Sequence, residues 1–271
     1  MLSIQRSEQI IQPMTNQQTK VDPIREKYFG PLETAEKWSD RLFYLTAILS
    51  VAALLVEEGA YPALNAGIQV AFVVAVIASF VLGQAIRLHL APRAHDRRIQ
   101  DFLVSAYQVP LNHEQTIAYY NNDQADPLKR IGAQVLENSL FSKEIAREMV
   151  KTNRVQTAIY AIIWIVALLN RNSSLAFAAA AAQALFSEQI LSRWIRLEWL
   201  QTRFENTYNG LYRLFQTKPK ANKFSAMALE SFTTYETAKA TGGVTLSAKV
   251  FERLNPRLSQ EWEQIKRTLE I

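Results

Sequence analysis

The sequence predicts an all-α integral membrane protein: four transmembrane helices arranged as two hairpins, with a helical connector between the hairpins and a helical tail after them. Three observations carry that prediction. Apolar residues concentrate in four blocks, although 49% hydrophobic residues overall is ordinary for a soluble protein. Positive charge avoids the two short turns that join the blocks into pairs. Tryptophans stand beside arginines where helices would leave a bilayer.

The blocks run Leu42–Val56, about Ala63–Leu82, Val155–Leu169 and Ser174–Ile190. A spanning helix needs roughly 20 apolar residues. The second and fourth blocks meet this; the first and third fall near 15 by strict count, so length alone also fits buried helices of a soluble bundle. The charge distribution decides against that. Six Lys or Arg residues precede the first block, ten lie between residues 83 and 154, thirteen follow the fourth block, and only Arg171 lies in a hairpin turn. The positive-inside rule then places both ends and the connector in the cytoplasm. Trp38, Trp194 and Trp199, close to Arg41, Arg193 and Arg196, suit the interfacial zone. The blocks are also apolar nearly all round, unlike helices with one face in water.

The expected organisation is a polar N-terminal segment (1–37), a first hairpin (38–90), a connector (91–154), a second hairpin (155–192) and a tail (193–271). Residues 1–20 lack a basic start followed by an apolar run, so the first span is expected to serve as the targeting signal. In the connector, Ala94–Tyr107 places Ile99, Phe102, Leu103 and Ala106 on one helical face and leaves Asp101 with the arginines elsewhere. Pro110 ends this helix, Asn121–Pro127 is a loop, and residues 128–154 form a helix continuous with the third span, with Ile131, Val135, Ile145 and Met149 among its apolar positions.

The fourth span is expected to continue as one long helix. Ile190, Trp194, Leu197, Leu200, Phe204, Tyr208, Leu211 and Phe215 recur at near-heptad spacing, and such a seam demands a partner helix, from the same chain or another subunit. From Lys218 the chain loosens. Ala240–Val244 is a turn, and Thr245–Leu254 and Leu258–Glu270 are short helices separated by Pro256.

The chemistry-bearing motifs of enzymes are missing. The chain has no cysteine, its three histidines (His89, His95, His113) lack ligand spacing, and no phosphate-binding glycine loop or nucleophile elbow occurs. Glu144 and Glu148 alternate with Lys143, Arg147 and Lys151, the pattern of a salt-bridged helix face. No catalytic residue, metal or cofactor is expected. A net charge of +5 reflects membrane-side Lys and Arg, and no nucleic-acid polymer is an expected partner.

Two sets of residues remain as candidate sites. Asn65, Gln69, Gln183, Ser187 and Glu188 are polar within or at the end of spans. Such residues are costly in lipid, and they serve either inter-helical hydrogen bonding or the lining of a pore. Arg87, Arg93, Arg97 and Arg98 cluster just past the second span. They attract anionic headgroups of the lipid bilayer or bind an anionic ligand such as a cyclic nucleotide.

Arg97–Asn112 (RRIQDFLVSAYQVPLN) carries a resemblance. Together with the hairpin–connector–hairpin–tail layout, it resembles the bacterial S-4TM family, four-span pore-forming effectors of nucleotide-signalling antiphage systems. Ile99, Gln100, Phe102, Pro110 and Asn112 fit that family's Ile-Gln pair, aromatic-containing helix and terminal Pro-Trp-Asn, to within a residue. Leu111 stands in place of the tryptophan, the acidic residue after the phenylalanine is missing, and so is the Cys-containing motif before the third span. The resemblance implies a homo-oligomeric effector of the bacterial inner membrane that disrupts the membrane on a cytoplasmic signal. A non-conducting scaffold that recruits a protein partner is the alternative.

Overall fold

The structure, a computed structural model, describes residues 21–111, 113, 114, 116, 119, 120, 122, 124–170 and 175–271. The first 20 residues, the turn containing Arg171, and Asn112 of the connector motif lie outside the described residues. Among the described residues the regular elements are helical, and four helical stretches are long and apolar enough to cross a membrane: Arg25–Leu55, Pro62–Tyr107, Pro127–Leu169 and Leu175–Thr217, the last counted across a break.

The first hairpin is α1 (Gly30–Leu55) and α2 (Pro62–Ala85). Pro31 and Pro62 sit in the first turns of these helices, where a missing N–H is no loss. The second hairpin is α4 (Pro127–Leu169) with α5 (Leu175–Leu185). Neighbouring α1 and α5 pack against each other and join the two hairpins.

The remaining helices build a polar domain on the basic side of the spans. α3 (Ala91–Tyr107) follows α2 after a π-helical turn, Ile86–Leu90, and stops at Gln108, whose φ of 56° reverses the chain two residues before Pro110. α6 (Arg193–Thr217), α7 (Ala221–Gly242) and α8 (Ala248–Leu269) follow. The N-terminal half of α4 is the centre of this domain, packed against α6, α7 and α8. Asp126 caps its start, with Oδ1 accepting from the Lys129 N–H at 2.8 Å. As expected, α4 then runs without a break into the third span; Ile131, Val135, Ile145 and Met149 are all buried in its domain half.

The heptad-like seam finds its partner within the chain. Leu197, Leu200, Phe204, Leu211 and Phe215 are buried, largely against α4 and α7. The expected continuous helix from the fourth span is not formed. α5 ends at Leu185, Ser187 takes an extended conformation (ψ 163°), and its hydroxyl caps a new helical start by accepting from the Ile190 N–H at 3.3 Å. Serine competes well for this role because its side chain replaces the missing turn partner.

The tail departs from expectation twice. The stretch after Lys218 forms the 22-residue helix α7, because Phe224, Ala228, Tyr235, Ala238 and Gly242 pack one narrow face into the core. Pro256 does not separate two helices. It sits on the exposed side of α8, while Leu258, Trp262, Ile265 and Leu269 bury the opposite face and hold the helix together. The Glu144/Glu148 face also does more than meet solvent: Arg257 and Arg253 of α8 reach Glu144 (3.5 Å) and Glu148 (3.0 Å) across the helix pair.

Candidate functional site: an intramembrane cavity and its charged boundary

Between the four spans lies a cavity of about 270 Å³. Phe43, Thr46, Ala47, Ser50 and Val51 of α1 line one wall, Phe72 and Val76 of α2 a second, Tyr160 and Ile163 of α4 a third. Phe177, Ala180, Ala181, Gln183 and Ala184 of α5, with Ser187 at the break, close the fourth. The lining is apolar with hydroxyl and amide groups placed at helical spacing. Thr46 and Ser50 are one turn apart on α1, and Gln183 near the end of α5 shares its wall with Ser187 at the break. The Thr46 hydroxyl donates to the Phe43 carbonyl at 2.8 Å. The small alanines of α5 let the walls approach closely. The position of the break fits this surrounding, since non-helical backbone at membrane depth is tolerated where it lines a cavity or is buried in protein.

Gln183 and Ser187 are therefore neighbours in one wall. Asn65 and Gln69 are elsewhere, at the far turn of the first hairpin. Asn65 is buried and its Nδ2 donates to the Val56 carbonyl at 2.9 Å, satisfying an orphan group at the end of α1. Gln69 Nε2 donates to Asn65 Oδ1 at 2.6 Å. These two residues bond within the hairpin and do not line the cavity.

Glu188 belongs to a belt of ion pairs at the basic boundary. Its carboxylate meets Arg87 at 2.5 Å and Arg196 at 3.3 Å. This joins the π-helical turn after α2 to a second one, Glu188–Ser192, before α6. Asp40–Arg193 (3.3 Å) ties α1 to α6, and Arg154–Glu198 (2.5 Å) ties α4 to α6. Gln156 Nε2 donates to the Tyr44 hydroxyl at 2.9 Å and links the two hairpins. Both spans that run towards the basic side thus end in a widened turn or a break, whereas α4 passes the same level as regular helix.

The four clustered arginines separate into three environments. Arg87 is in the belt. Arg98 is partly buried and holds both Asp22 oxygens, at 2.8 and 3.1 Å, with its guanidinium over the Tyr119 ring at 4.6 Å. Arg93 and Arg97 lie against one ring, that of Tyr28, at 5.2 and 5.7 Å from its centre. Tyr28 comes from a third π-helical turn, Arg25–Phe29, which precedes α1.

Asp101 contradicts the expectation of a polar-face residue. It is buried on α3, accepts from the Thr116 N–H (3.0 Å) and hydroxyl (2.9 Å), and lies 3.9 Å from Arg98. Burial pushes its carboxyl above the usual range, against the pull of Thr116 and Arg98. His95, also on α3, packs edge-on to Phe29. Burial, then Lys239, lowers its imidazole below the ordinary value.

Thr46, Ser50, Tyr160, Tyr28 and Asp22 escape a sequence reading. The hydroxyl pair on α1 leaves a faint signal in its four-residue spacing. Nothing local marks Tyr28 or Asp22 as partners of residues some 70 positions away.

No family model, curated protein or solved structure matches the chain.

Proposed function

We propose that the chain is a bacterial inner-membrane effector that gates a pore. It acts as a homo-oligomer, with its termini and polar domain in the cytoplasm, and an anionic signal of the cyclic-nucleotide type triggers it in antiphage defence. The observation that carries this reading is the mainly apolar cavity shared by all four spans, which carries the Thr46, Ser50, Gln183 and Ser187 side chains and is bordered by the break at Ser187. A protein that only anchors a domain gains nothing from an open space between its spans, because the lining gives up packing contacts that would hold the helices together.

The connections to the domain support a gate. α4 is a stiff lever from domain core to membrane, while α2/α3 and α5/α6 bend at π-helical turns or a break, the usual sites of helix hinging. A ligand that binds the open arrangement tighter than the closed one shifts the equilibrium by that difference, about tenfold per 1.4 kcal/mol. The four-span layout and the Arg97–Asn112 stretch, with their likeness to the S-4TM family, supply the defence context.

Ion leakage from vesicles carrying the full-length protein, with and without cyclic nucleotides, tests the reading. Ligand-dependent leakage is expected, and Gln183→Ala should change its rate or ion selectivity. No leakage from protein shown to be inserted, under any of these ligands, would overturn the gated pore in favour of the non-conducting scaffold.

A further inference from the structure

We infer that Arg93 and Arg97, both held against the Tyr28 ring, form a binding site for a phosphate group at the basic membrane boundary. Most arginines near this boundary already have a carboxylate: Arg87 and Arg196 share Glu188, Arg98 holds Asp22, Arg154 holds Glu198 and Arg193 holds Asp40. Among the described residues, Arg93 and Arg97 make no such ion pair; Arg97 Nη1 donates instead to Gln100 Oε1 at 3.0 Å.

The pair is preorganised. One helical turn separates the two residues, so their side chains leave the same face of α3. The single aromatic ring against both guanidinium groups restrains them by cation–π attraction without neutralising either. Two guanidinium groups fixed in this way match the several oxygens of a phosphate better than two mobile ammonium groups would. Two carboxylates lie nearby. Asp96 lines the same groove. Glu114 is taken by Lys27 at 2.6 Å, and Lys27 and the Tyr28 hydroxyl, with a smaller pull from the Arg97 charge, hold its carboxyl below the usual range.

The groove has two ends of different character. Leu88 and Leu90 lie towards the spans, and Leu88 is 61% exposed. Arg93, Arg97 and Gln100 lie away from them. An anionic phospholipid fits this polarity, with its phosphate on the arginines and an acyl chain along the leucines. A soluble phosphate-bearing signal would reach the same pair from the aqueous side. The shared chemistry is an anionic phosphate group, and its recognition does not depend on the spans conducting.

Native mass spectrometry of the full-length protein in phosphatidylcholine, with phosphatidylglycerol at low mole fraction, reads the lipid arm. Titration of the same neutral preparation with a cyclic dinucleotide and with pyrophosphate reads the soluble arm. Binding in either arm should fall about tenfold or more in Arg93→Gln/Arg97→Gln, the loss of charge-assisted hydrogen bonds. It should fall by an intermediate amount in Arg93→Lys/Arg97→Lys, which keeps the charge but not the fork. Arg213→Gln/Arg267→Gln removes as much charge from other exposed positions and should change binding less than twofold. Lipid binding that cyclic dinucleotide and pyrophosphate do not displace assigns the site to a membrane headgroup; saturable binding of either soluble compound assigns it to a signal. No saturable binding in either arm, equal loss in the Arg213/Arg267 control, or full retention by the lysine variant would overturn the site. None of these outcomes is read through leakage, so the site and the gated pore fail separately.

Discussion

α4 contains two proteins' worth of environment in one helix. Between Ile131 and Val150 most of its side chains are buried, among them Ile131, Leu136 and Leu140 at 1% exposure or less. Between Val155 and Leu169 the large apolar side chains are instead exposed: Ile162 at 60%, Val166 at 57%. In the domain half, water drives apolar groups inward against α6, α7 and α8. In the span half the surroundings are hydrocarbon, which removes that drive and leaves packing and hydrogen bonds as the inter-helical forces. The same pair of regions differs in its polar groups. In the domain Arg98 is held by Asp22 and Asp101; the spans carry uncharged hydroxyls and amides, of which Thr46, Ser50, Gln183 and Ser187 line the cavity while Asn65 and Gln69 bond within their hairpin.

Substitutions of large apolar residues should break the comparison most visibly. Phe204→Ala, at a core position 1% exposed, is expected to cost about 3–5 kcal/mol of domain stability. Ile162→Ala on the lipid-facing surface should stay within about 0.5 kcal/mol. Thermal unfolding of the two variants in the same detergent gives the contrast, and similar losses would mean that the third span is packed rather than lipid-facing.

Two glycines of the domain should respond with opposite signs. A Cβ on Gly242 would stand 2.6 Å from atoms of the buried Leu200, so Gly242→Ala should destabilise by about 1–3 kcal/mol. A Cβ on Gly210 meets nothing within 4 Å, and Gly210→Ala should stabilise α6 by about 0.5–1 kcal/mol. Denaturant midpoints of the two variants check both signs.

The charged boundary calls for a smaller effect. Arg87 and Glu188 are exposed at 61% and 51%, and such pairs contribute up to about 1 kcal/mol. Arg87→Glu alone should move the ligand concentration for half-maximal leakage by about two- to fivefold, and Arg87→Glu/Glu188→Arg should return it in part, because Arg196 also pairs with Glu188. An unrestored double variant would leave the two π-helical turns uncoupled by this bond.

The least effect concerns pH. His95 is partly buried against Phe29 with Lys239, Glu236 and Asp96 near it, and its imidazole is lowered, chiefly by desolvation. The unfolded chain therefore takes up the proton more readily, and stability should fall as pH drops below about 6.5. His95→Gln should flatten the pH dependence of the melting temperature below about pH 6.5. An unchanged slope would place the titration elsewhere.

The sequence by itself determined four apolar helices, their pairing into hairpins, the unbroken passage of α4 from domain to span, and a seam on α6 that required a partner. These features are local: hydropathy of a block, length of a turn, period of a face. Tertiary structure alone decided the partner of that seam, the helix α7 after Lys218, and the survival of α8 across Pro256, since each depends on a surface supplied from elsewhere in the chain. It also divided the four arginines, because whether a guanidinium is held by Asp22, paired with Glu188 or left against Tyr28 depends on residues about 65 to 100 positions away. The break at Ser187 belongs with these. A serine followed by a glutamate caps a helix in many sequences, but it stops a span only where a cavity and a pairing arginine receive the interrupted chain.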